Sequence, residues 1–203
     1  MKKVFAIAAA LMLIGTTAFA QSIGAGYVQS TFKHGNTSKV ANGFYAGLGY
    51  TAEITSGLSL NPGIYYEFLT GAENFTGFDV LSGAYRGKTT EHYVNVPLHL
   101  SYDIAFSPAF KIFVYGGPTA TIGIASNSKG ATLDDSKSNY ANEDYSRFDI
   151  MAGGGLGFEL VKRIRLNVGY DFGLLDRDNG KTIAGKEDSL KRNRLVAGAA
   201  FVF

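Results

Sequence analysis

The ionisable side chains that could do chemistry in this chain stand at alternate positions of largely apolar segments. They are Glu53, Glu67, His99, Asp103, Asp149, Glu159, Arg165, Asp171 and Arg194. Paired carboxylates could serve in acid–base catalysis, and carboxylates with histidine could bind a metal. Opposite charges on one shielded face could instead compensate each other, because a buried charge needs a partner. We predict this last role, a structural charge network.

The catalytic and metal-binding alternatives lack their partners in the sequence. There are three histidines, His34, His92 and His99, and no cysteine. Disulfides, thiolate catalysis and cysteine-bound zinc are therefore excluded. No nucleophile elbow or metal-type histidine pair accompanies the histidines, and glycines 153–155 lie in a predicted strand rather than before a helix. We expect no catalytic residue, no metal and no cofactor.

Period-two segments carry the ionisable residues. Residues 93–104 alternate between an apolar row from Val94 to Ile104 and a polar row that includes His99 and Asp103. The same alternation recurs in residues 44–54, 148–160 and 164–174, and less regularly in residues 23–32, 58–68, 111–124 and 194–203. The total is about eight strands, the smallest of the even-numbered bacterial membrane barrels.

The N-terminus has the three parts of a secretory signal peptide. Lys2 and Lys3 precede an apolar run over residues 4–14, and Ala18 and Ala20 form an A-x-A cleavage site. The run is too short to span a bilayer as a helix. We therefore expect a signal peptide over 1–20 and one domain over 21–203.

The mature chain is formally neutral. Loss of Lys2 and Lys3 lowers the Lys and Arg count from 19 to 17, equal to the 17 Asp and Glu. A neutral chain gives no electrostatic reason to expect nucleic-acid binding. After residue 20 no apolar run approaches a spanning helix. Only a closed barrel could then cross lipid, because hydrocarbon offers no partner for free backbone groups.

The connections alternate in length. Residues 55–57, 105–110 and 161–163 are short, whereas residues 33–42, 69–91, 125–145 and 175–191 are long and polar. Short turns on one side and long loops on the other are typical of outer-membrane barrels, with the long loops outside the cell. The predicted fold is all-β, an antiparallel up-and-down transmembrane β-barrel. A soluble periplasmic barrel is the alternative fold.

Aromatic residues gather at the two predicted rims. Strand direction places Phe44, Tyr66, Phe68, Phe148, Tyr170 and Phe172 near the outer rim, and Tyr50, Tyr102, Phe158, Phe201 and Phe203 near the inner rim. Two aromatic girdles are expected where a barrel meets the lipid–water boundaries.

Three prolines fall inside predicted strands. Because proline cannot donate to a strand ladder, we predict a bulge at each of Pro62, Pro97 and Pro118. A bulge reverses the side on which residues face, so inward and outward assignments beyond each proline stay open.

The C-terminal residues resemble the β-signal by which the barrel-assembly machinery recognises its clients. Gly198, Phe201 and Phe203 match that pattern, and Val196 departs from it where a polar residue is usual. The resemblance implies the assembly machinery as a partner during biogenesis.

The whole mature chain resembles the outer-membrane β-barrel (PorT-like, "porin family") proteins of Bacteroidetes. The strings that carry the resemblance are residues 93–98 (YVNVPL), 113–118 (FVYGGP), 153–157 (GGGLG) and 165–170 (RLNVGY). The resemblance implies fold and outer-membrane location, and no single activity.

These observations favour a non-enzymatic outer-membrane barrel that presents its long loops for surface interaction or envelope integrity. An eight-strand barrel is just wide enough to be filled by its own side chains, so the charge network is expected to plug the lumen. A narrow channel for ions or small solutes is the main alternative, and a lipid-modifying enzyme with its site at the rim is a third. We expect a monomer in contact with outer-membrane lipid, and the loops name no surface ligand.

Overall fold

The computed structural model describes residues 21–34, 37–71, 88–129, 137–138, 146–177 and 189–203. Within these residues the chain forms the strands β1 (Ser22–His34), β2 (Thr37–Gly49), β3 (Ala52–Thr55), β4 (Leu58–Thr70), β5 (Lys88–Ser107), β6 (Phe110–Lys129), β7 (Lys137–Ser138), β8 (Phe148–Leu160), β9 (Ile164–Gly173) and β10 (Leu190–Val202). No helix in the described ranges is long and apolar enough to cross a membrane. The predicted signal peptide, with Ala18 and Ala20, lies outside the described residues.

The strands close into a ring. β1 pairs with β2 on one side and with β10 on the other, and the ring continues through β4, β5, β6, β8 and β9. β2 and β3 together occupy one strand position in the ring, with a break at Tyr50 and Thr51, and both pair with β4. β7 adds a short pairing at the outer end of β6. The predicted antiparallel eight-strand barrel is confirmed.

Side chains alternate between the two faces of the wall, apart from register shifts in the β5–β6 pairing between His92 and Tyr93 and between Ala105 and Ser107. On β5, Val96, Leu98 and Leu100 are exposed, while Asn95, Pro97 and Ser101 of the alternate row are buried. Hence the apolar rows face outward and the polar rows face the lumen, the reverse of a soluble barrel. The aromatic residues predicted for the two rims all stand on outward positions. The most exposed of them are Phe44, Phe148, Phe172, Tyr102, Phe201 and Phe203.

The prediction of a bulge at each proline is wrong. The register between β4 and β5 is the same before Pro62 and after it, and the β5–β6 and β6–β8 registers likewise continue past Pro97 and Pro118. Proline instead lies beside short gaps in the ladder. Pro62 also faces the interruption between β2 and β3, where its carbonyl accepts a hydrogen bond from Tyr50 N–H at 2.9 Å. Inward and outward parity therefore runs unbroken through the prolines.

Several predicted boundaries are also wrong. β5 begins at Lys88, inside the loop predicted over residues 69–91, and β6 ends at Lys129, inside the loop predicted over residues 125–145. Residues 33–42 were expected as a long loop, but β1 continues to His34 and β2 begins at Thr37. Residues 44–54 were expected as one strand, but the strand is broken at Tyr50 and Thr51. The three short turns are confirmed. The last of them places Val161 and Lys162 at φ 48° and 61°, while Arg163 N–H donates to Leu160 C=O at 3.0 Å.

Inward glycines make room for inward aromatic rings. Tyr115 lies in the lumen beside Gly155 and Gly169, and a Cβ on Gly155 would stand 2.7 Å from its hydroxyl oxygen. A Cβ on Gly169 would come closer still, with the hydroxyl oxygen as its nearest atom and the ring carbon Cζ next at 3.1 Å. Gly157 accommodates Phe113 in the same way. The narrow lumen is thus filled by a large side chain wherever its neighbour is small.

We predict that Gly169→Ala destabilises the barrel by about 1–3 kcal/mol through overpacking against the Tyr115 hydroxyl. Tyr115→Phe removes that oxygen and should recover most of the loss in the double variant. Urea unfolding of the refolded protein measures both, with Tyr115→Phe alone as the control. Strict additivity of the two single changes would contradict this packing.

Candidate functional site: the charged lumen

The outer half of the lumen contains a buried ion-pair network. Glu67 on β4 receives Arg192 and Arg194 of β10 on its two carboxylate oxygens, with Arg194 Nη1 at 2.9 Å from Oε2. Arg194 also donates from Nη2 and Nε to Oδ2 of Asp171 on β9, at 2.6 and 2.9 Å. Glu67 and Arg192 are fully buried, and Asp171 and Arg194 nearly so. Two acids and two bases thus balance their charges in one cluster, which we call the outer network.

Neutral side chains extend the outer network across the lumen. Asn95 on β5 donates to Glu67 Oε2 at 2.9 Å and accepts from the Thr121 hydroxyl of β6 at 2.8 Å. On the other side, Arg192 Nε donates to the Ser30 hydroxyl of β1 at 3.1 Å. Side chains from β1, β4, β5, β6, β9 and β10 therefore meet in one layer of hydrogen bonds.

A second layer lies toward the outer rim. The Arg192 guanidinium stacks over the Tyr93 ring at 4.0 Å, and Tyr93 donates its hydroxyl proton to Glu91 at 2.7 Å. Arg177, which follows β9, is buried and donates to the Tyr93 hydroxyl at 3.1 Å. Asp149 on β8 is also buried here, and neither of its carboxylate oxygens has a hydrogen-bond partner within the described residues.

Another set of charges lies near the inner rim. Lys111 Nζ stands 3.7 Å from Asp103 and 3.6 Å from Glu159, and Arg165 stands 3.9 and 3.7 Å from the same two acids. The Arg165 guanidinium also stacks over the Phe113 ring at 4.2 Å. These side chains are partly exposed and their ion pairs are longer than those of the outer network. We call this group the inner ring.

A cavity of about 160 Å³ separates the two groups of charges. Arg194, Asp171 and Asn95 bound it on the outer side, and Arg165 bounds it on the inner side. Hydroxyl, proline and small aliphatic side chains line part of its wall, and the larger lining side chains are aromatic or amide, namely Tyr45, Tyr65, His99, Phe113, Tyr115, Asn61 and Asn167. The Asn167 amide donates to the Tyr115 hydroxyl at 3.2 Å, so part of the polar wall is already paired.

The structure divides the predicted charged residues into groups. Glu67, Asp171 and Arg194 lie in the outer network, and Asp103, Glu159 and Arg165 lie in the inner ring. His99 faces the cavity between them, with Nε2 at 3.2 Å from the Thr119 hydroxyl. Asp149 lies in the second layer, toward the outer rim. Glu53 is exposed at the inner rim and joins neither group.

Sequence reasoning missed several members of the outer layers. They are Arg192, Tyr93, Glu91, Arg177 and the neutral residues Ser30, Asn95 and Thr121. Arg192 had a usable signal, because it continues the alternate row of Arg194 and Val196 by one step outward. Arg177 had none, since it follows the strand and reaches the lumen only through the folded backbone.

The geometry favours structural pairing over chemistry. Each group contains as many basic as acidic side chains, so neither leaves a net charge to attract a substrate. No cluster of three or more histidine and acidic side chains with the arrangement of a metal site occurs among the described residues. Buried, mutually paired charges hold a fixed geometry, because separating any pair would strand a charge in low dielectric.

The fold and the lumen together define an integral outer-membrane β-barrel, with an apolar band facing lipid and a polar interior. Residues 17–179 match the family described as outer membrane protein beta-barrel domain. The chain belongs to this family, and it is a bacterial outer-membrane protein in contact with membrane lipid. No curated protein matches the sequence significantly.

Solved structures share the fold at low sequence identity. The Ail protein of Yersinia pestis, the attachment invasion locus protein, in complex with the heparin analogue sucrose octasulfate, aligns over 90% of this chain and 97% of its own, with 18% identity and a TM-score of 0.51. Neisserial surface protein A aligns over 90% and 96%, with 12% identity and a TM-score of 0.53. The outer membrane enzyme PagL aligns over 88% and 97%, with 11% identity and a TM-score of 0.46.

We predict that Arg194→Ala lowers the free energy of unfolding by about 3–5 kcal/mol, because it leaves Glu67 and Asp171 buried with fewer partners. Arg165→Ala is the matched control. It removes the same side chain from the partly exposed inner ring, where solvent screening reduces the loss to about 1 kcal/mol or less. Urea unfolding in lipid vesicles measures both, and equal losses would contradict the distinction between the two groups.

Proposed function

We propose that this protein is a non-enzymatic, closed barrel that holds its extracellular loops at the cell surface for surface interaction or envelope integrity. The observation that carries the proposal is the bridge from Arg194 on β10 to Glu67 on β4, with Arg192 beside it. These strands stand three places apart in a ring of eight, so the bridge crosses the lumen.

The outer network opposes ion flow for two physical reasons. Its side chains fill the cross-section, since an eight-strand barrel has little interior beyond its own side chains. An ion that enters would also have to separate buried, hydrogen-bonded charges, and each stranded charge is costly. Both reasons support a plug that is part of the fold.

A narrow channel is the second candidate function, and one observation favours it. The cavity of about 160 Å³ and the partly exposed inner ring provide a polar path through the inner half of the lumen. That path stops at Arg194 and Asp171, which bound the cavity on its outer side. Conduction would therefore require the outer network to rearrange.

A lipid-modifying site at the outer rim is the third hypothesis. His92 faces outward there, with Nδ1 at 2.5 Å from the Tyr66 hydroxyl and its ring 5.3 Å from that of Phe68. Phe68 stacks on Phe44 in turn. These contacts support a structural role for His92, which packs with the other rings of the aromatic girdle.

The proposal has several finer parts. Residues 1–20 would be removed on export, and the mature barrel would be a monomer from the Bacteroidetes group of this family. The barrel-assembly machinery would recognise Phe201 and Phe203. Both rings are exposed, Phe201 at the inner end of β10 and Phe203 directly after it, next to the β1–β10 seam that closes the ring last in chain order.

We predict that the refolded wild-type protein produces no resolved conductance steps in planar bilayers, because the outer network closes the lumen. Glu67→Ala with Arg192→Ala removes one acid and one base, keeps the net charge, and leaves the Arg194–Asp171 pair. This double variant should conduct measurably.

The channel hypothesis makes the opposite prediction for the same recordings. Steady wild-type conductance, with ion selectivity that changes in Arg194→Ala, would contradict the plug and support a channel. Comparison with Arg165→Ala shows whether the change comes from the outer network or from lumen charge in general.

We predict that Phe201→Ala with Phe203→Ala reduces outer-membrane levels in cells several-fold while export continues. Phe44→Ala with Phe172→Ala is the matched control, since it removes two similarly exposed rings from the opposite rim. Immunoblots of membrane fractions measure assembly, and refolding in detergent shows whether either variant merely fails to fold. Equal outer-membrane levels of the two variants would contradict the proposal that the assembly machinery recognises Phe201 and Phe203.

A further inference from the structure

Two lysines face each other on the outside of the barrel beyond its outer aromatic girdle. Lys33 on β1 is the direct cross-strand partner of Lys191 on β10, and both side chains are exposed. Residues directly opposite in an antiparallel pair have Cβ atoms ~4.5–5.5 Å apart. Two ammonium groups of like charge are thus anchored within easy reach of one another.

Neither lysine has an anionic partner among the described residues. On the other side of Lys33, its partner on β2 is the uncharged Ser38. Like charges directly opposite each other in a sheet destabilise the pairing. The pair therefore carries an uncompensated cost in the isolated protein, which an anion held between the two ammonium groups would remove.

The outward surface of β1 and β10 becomes polar toward the outer end, while Val40 of β2, the partner of Thr31, stays exposed. Beyond Tyr27, the outward residues of β1 are Gln29, Thr31 and Lys33. Gln29 donates to the Asn42 side chain of β2 at 3.1 Å, and the Tyr27 hydroxyl donates to the same atom at 2.5 Å. On β10 the corresponding outward residues are Asn193, which is the direct partner of Thr31, and Lys191.

The adjoining strand shows the depth at which this change occurs. β9 pairs with β10 and keeps exposed aromatic residues, Tyr170 and Phe172, up to its outer end. Leu195 is the partner of Tyr170, so Lys191 lies four residues nearer the outer end of β10 than the level of Tyr170, and two residues beyond the level of Phe172. At ~3.4 Å per residue, with a strand tilt of ~40°, this places the lysine pair at the level of lipid headgroups.

We propose that Lys33 and Lys191 bind the phosphate of an anionic lipid headgroup in the outer leaflet. Long lysine side chains place their charge in the headgroup layer while their methylene stems lie along apolar surface. A phosphate accepts hydrogen bonds from both ammonium groups, and Thr31 and Asn193 offer further polar atoms just below. The site is independent of whether the lumen is plugged or conducts.

The test uses the refolded mature chain in neutral detergent. Native mass spectrometry compares its affinity for lipid A that carries its phosphates with that for the same lipid after enzymatic removal of phosphate. The wild type should prefer the phosphorylated form, and Lys33→Gln with Lys191→Gln should lower affinity for that form by roughly 30-fold, from the typical contribution of a lysine near an anionic membrane surface.

The matched control is Lys162→Gln with Arg163→Gln, which removes the same number of positive charges from a turn at the inner rim. It should keep the wild-type preference. Urea unfolding without anionic lipid separates binding from misfolding, because relief of repulsion should leave the lysine variant at least as stable as the wild type. Equal wild-type affinity for both lipids, or an equal loss in the control, would overturn the proposal.

A competition experiment identifies the source of the phosphate. Inositol hexaphosphate, a soluble polyphosphate, should displace lipid A only weakly if the acyl chains place the phosphate against the barrel wall. Displacement as strong as that by unlabelled lipid A would overturn the assignment to a lipid and point to a soluble polyanion.

Discussion

The pairing of β1 with β10 is the contact on which the rest of the structure depends. All 13 residues of β1 have partners on both β2 and β10. Without this seam, two strand edges would present unpaired N–H and C=O groups to hydrocarbon, where nothing else can satisfy them. Closure fixes the ring at eight strands, and a ring of eight leaves a lumen that its own side chains can fill.

That narrow interior governs which residues can share it. A large ring such as Tyr115 fits because Gly155 and Gly169 stand beside it. Charges fit because acids and bases alternate in space, as Glu67 does between Arg192 and Arg194. The outward face obeys the opposite rule, since lipid tolerates neither unpaired charge nor exposed backbone. The two faces of one strand thus follow two different sets of constraints.

The alternation of apolar and polar residues within the membrane made the fold predictable. Where this alternation ends, at the outer ends of the strands, the predicted strand boundaries are wrong. The alternation of inward and outward side chains continues through Pro62, Pro97 and Pro118, because each proline removes hydrogen bonds from the ladder without adding a residue to the strand. The sequence alone does not show whether a proline in a strand is accommodated by a gap in the ladder or by a bulge. Beyond the girdle, neither face of a strand meets the hydrocarbon core of the membrane. The polar stretch 33–42 therefore looks like a loop, although residues 33–34 and 37–42 are paired strand, and Arg192 is overlooked for the same reason. Arg194 and Asp171 could be placed inward from sequence, whereas their partners across the lumen depend on ring order.

The outer network also has a mechanical meaning. A cylinder of sheet resists stretching along its hydrogen bonds but flattens readily, because bending between neighbouring strands costs little. The link from β10 to β4 acts as an internal strut that spans the cross-section, and Asn95 and Thr121 continue it to β5 and β6. Lateral pressure from the surrounding bilayer is then resisted by the contacts across the lumen as well as by the strand pairing around the wall. The barrel should keep a round outline at its outer half, where the surface loops are attached, and deform more easily at its inner half.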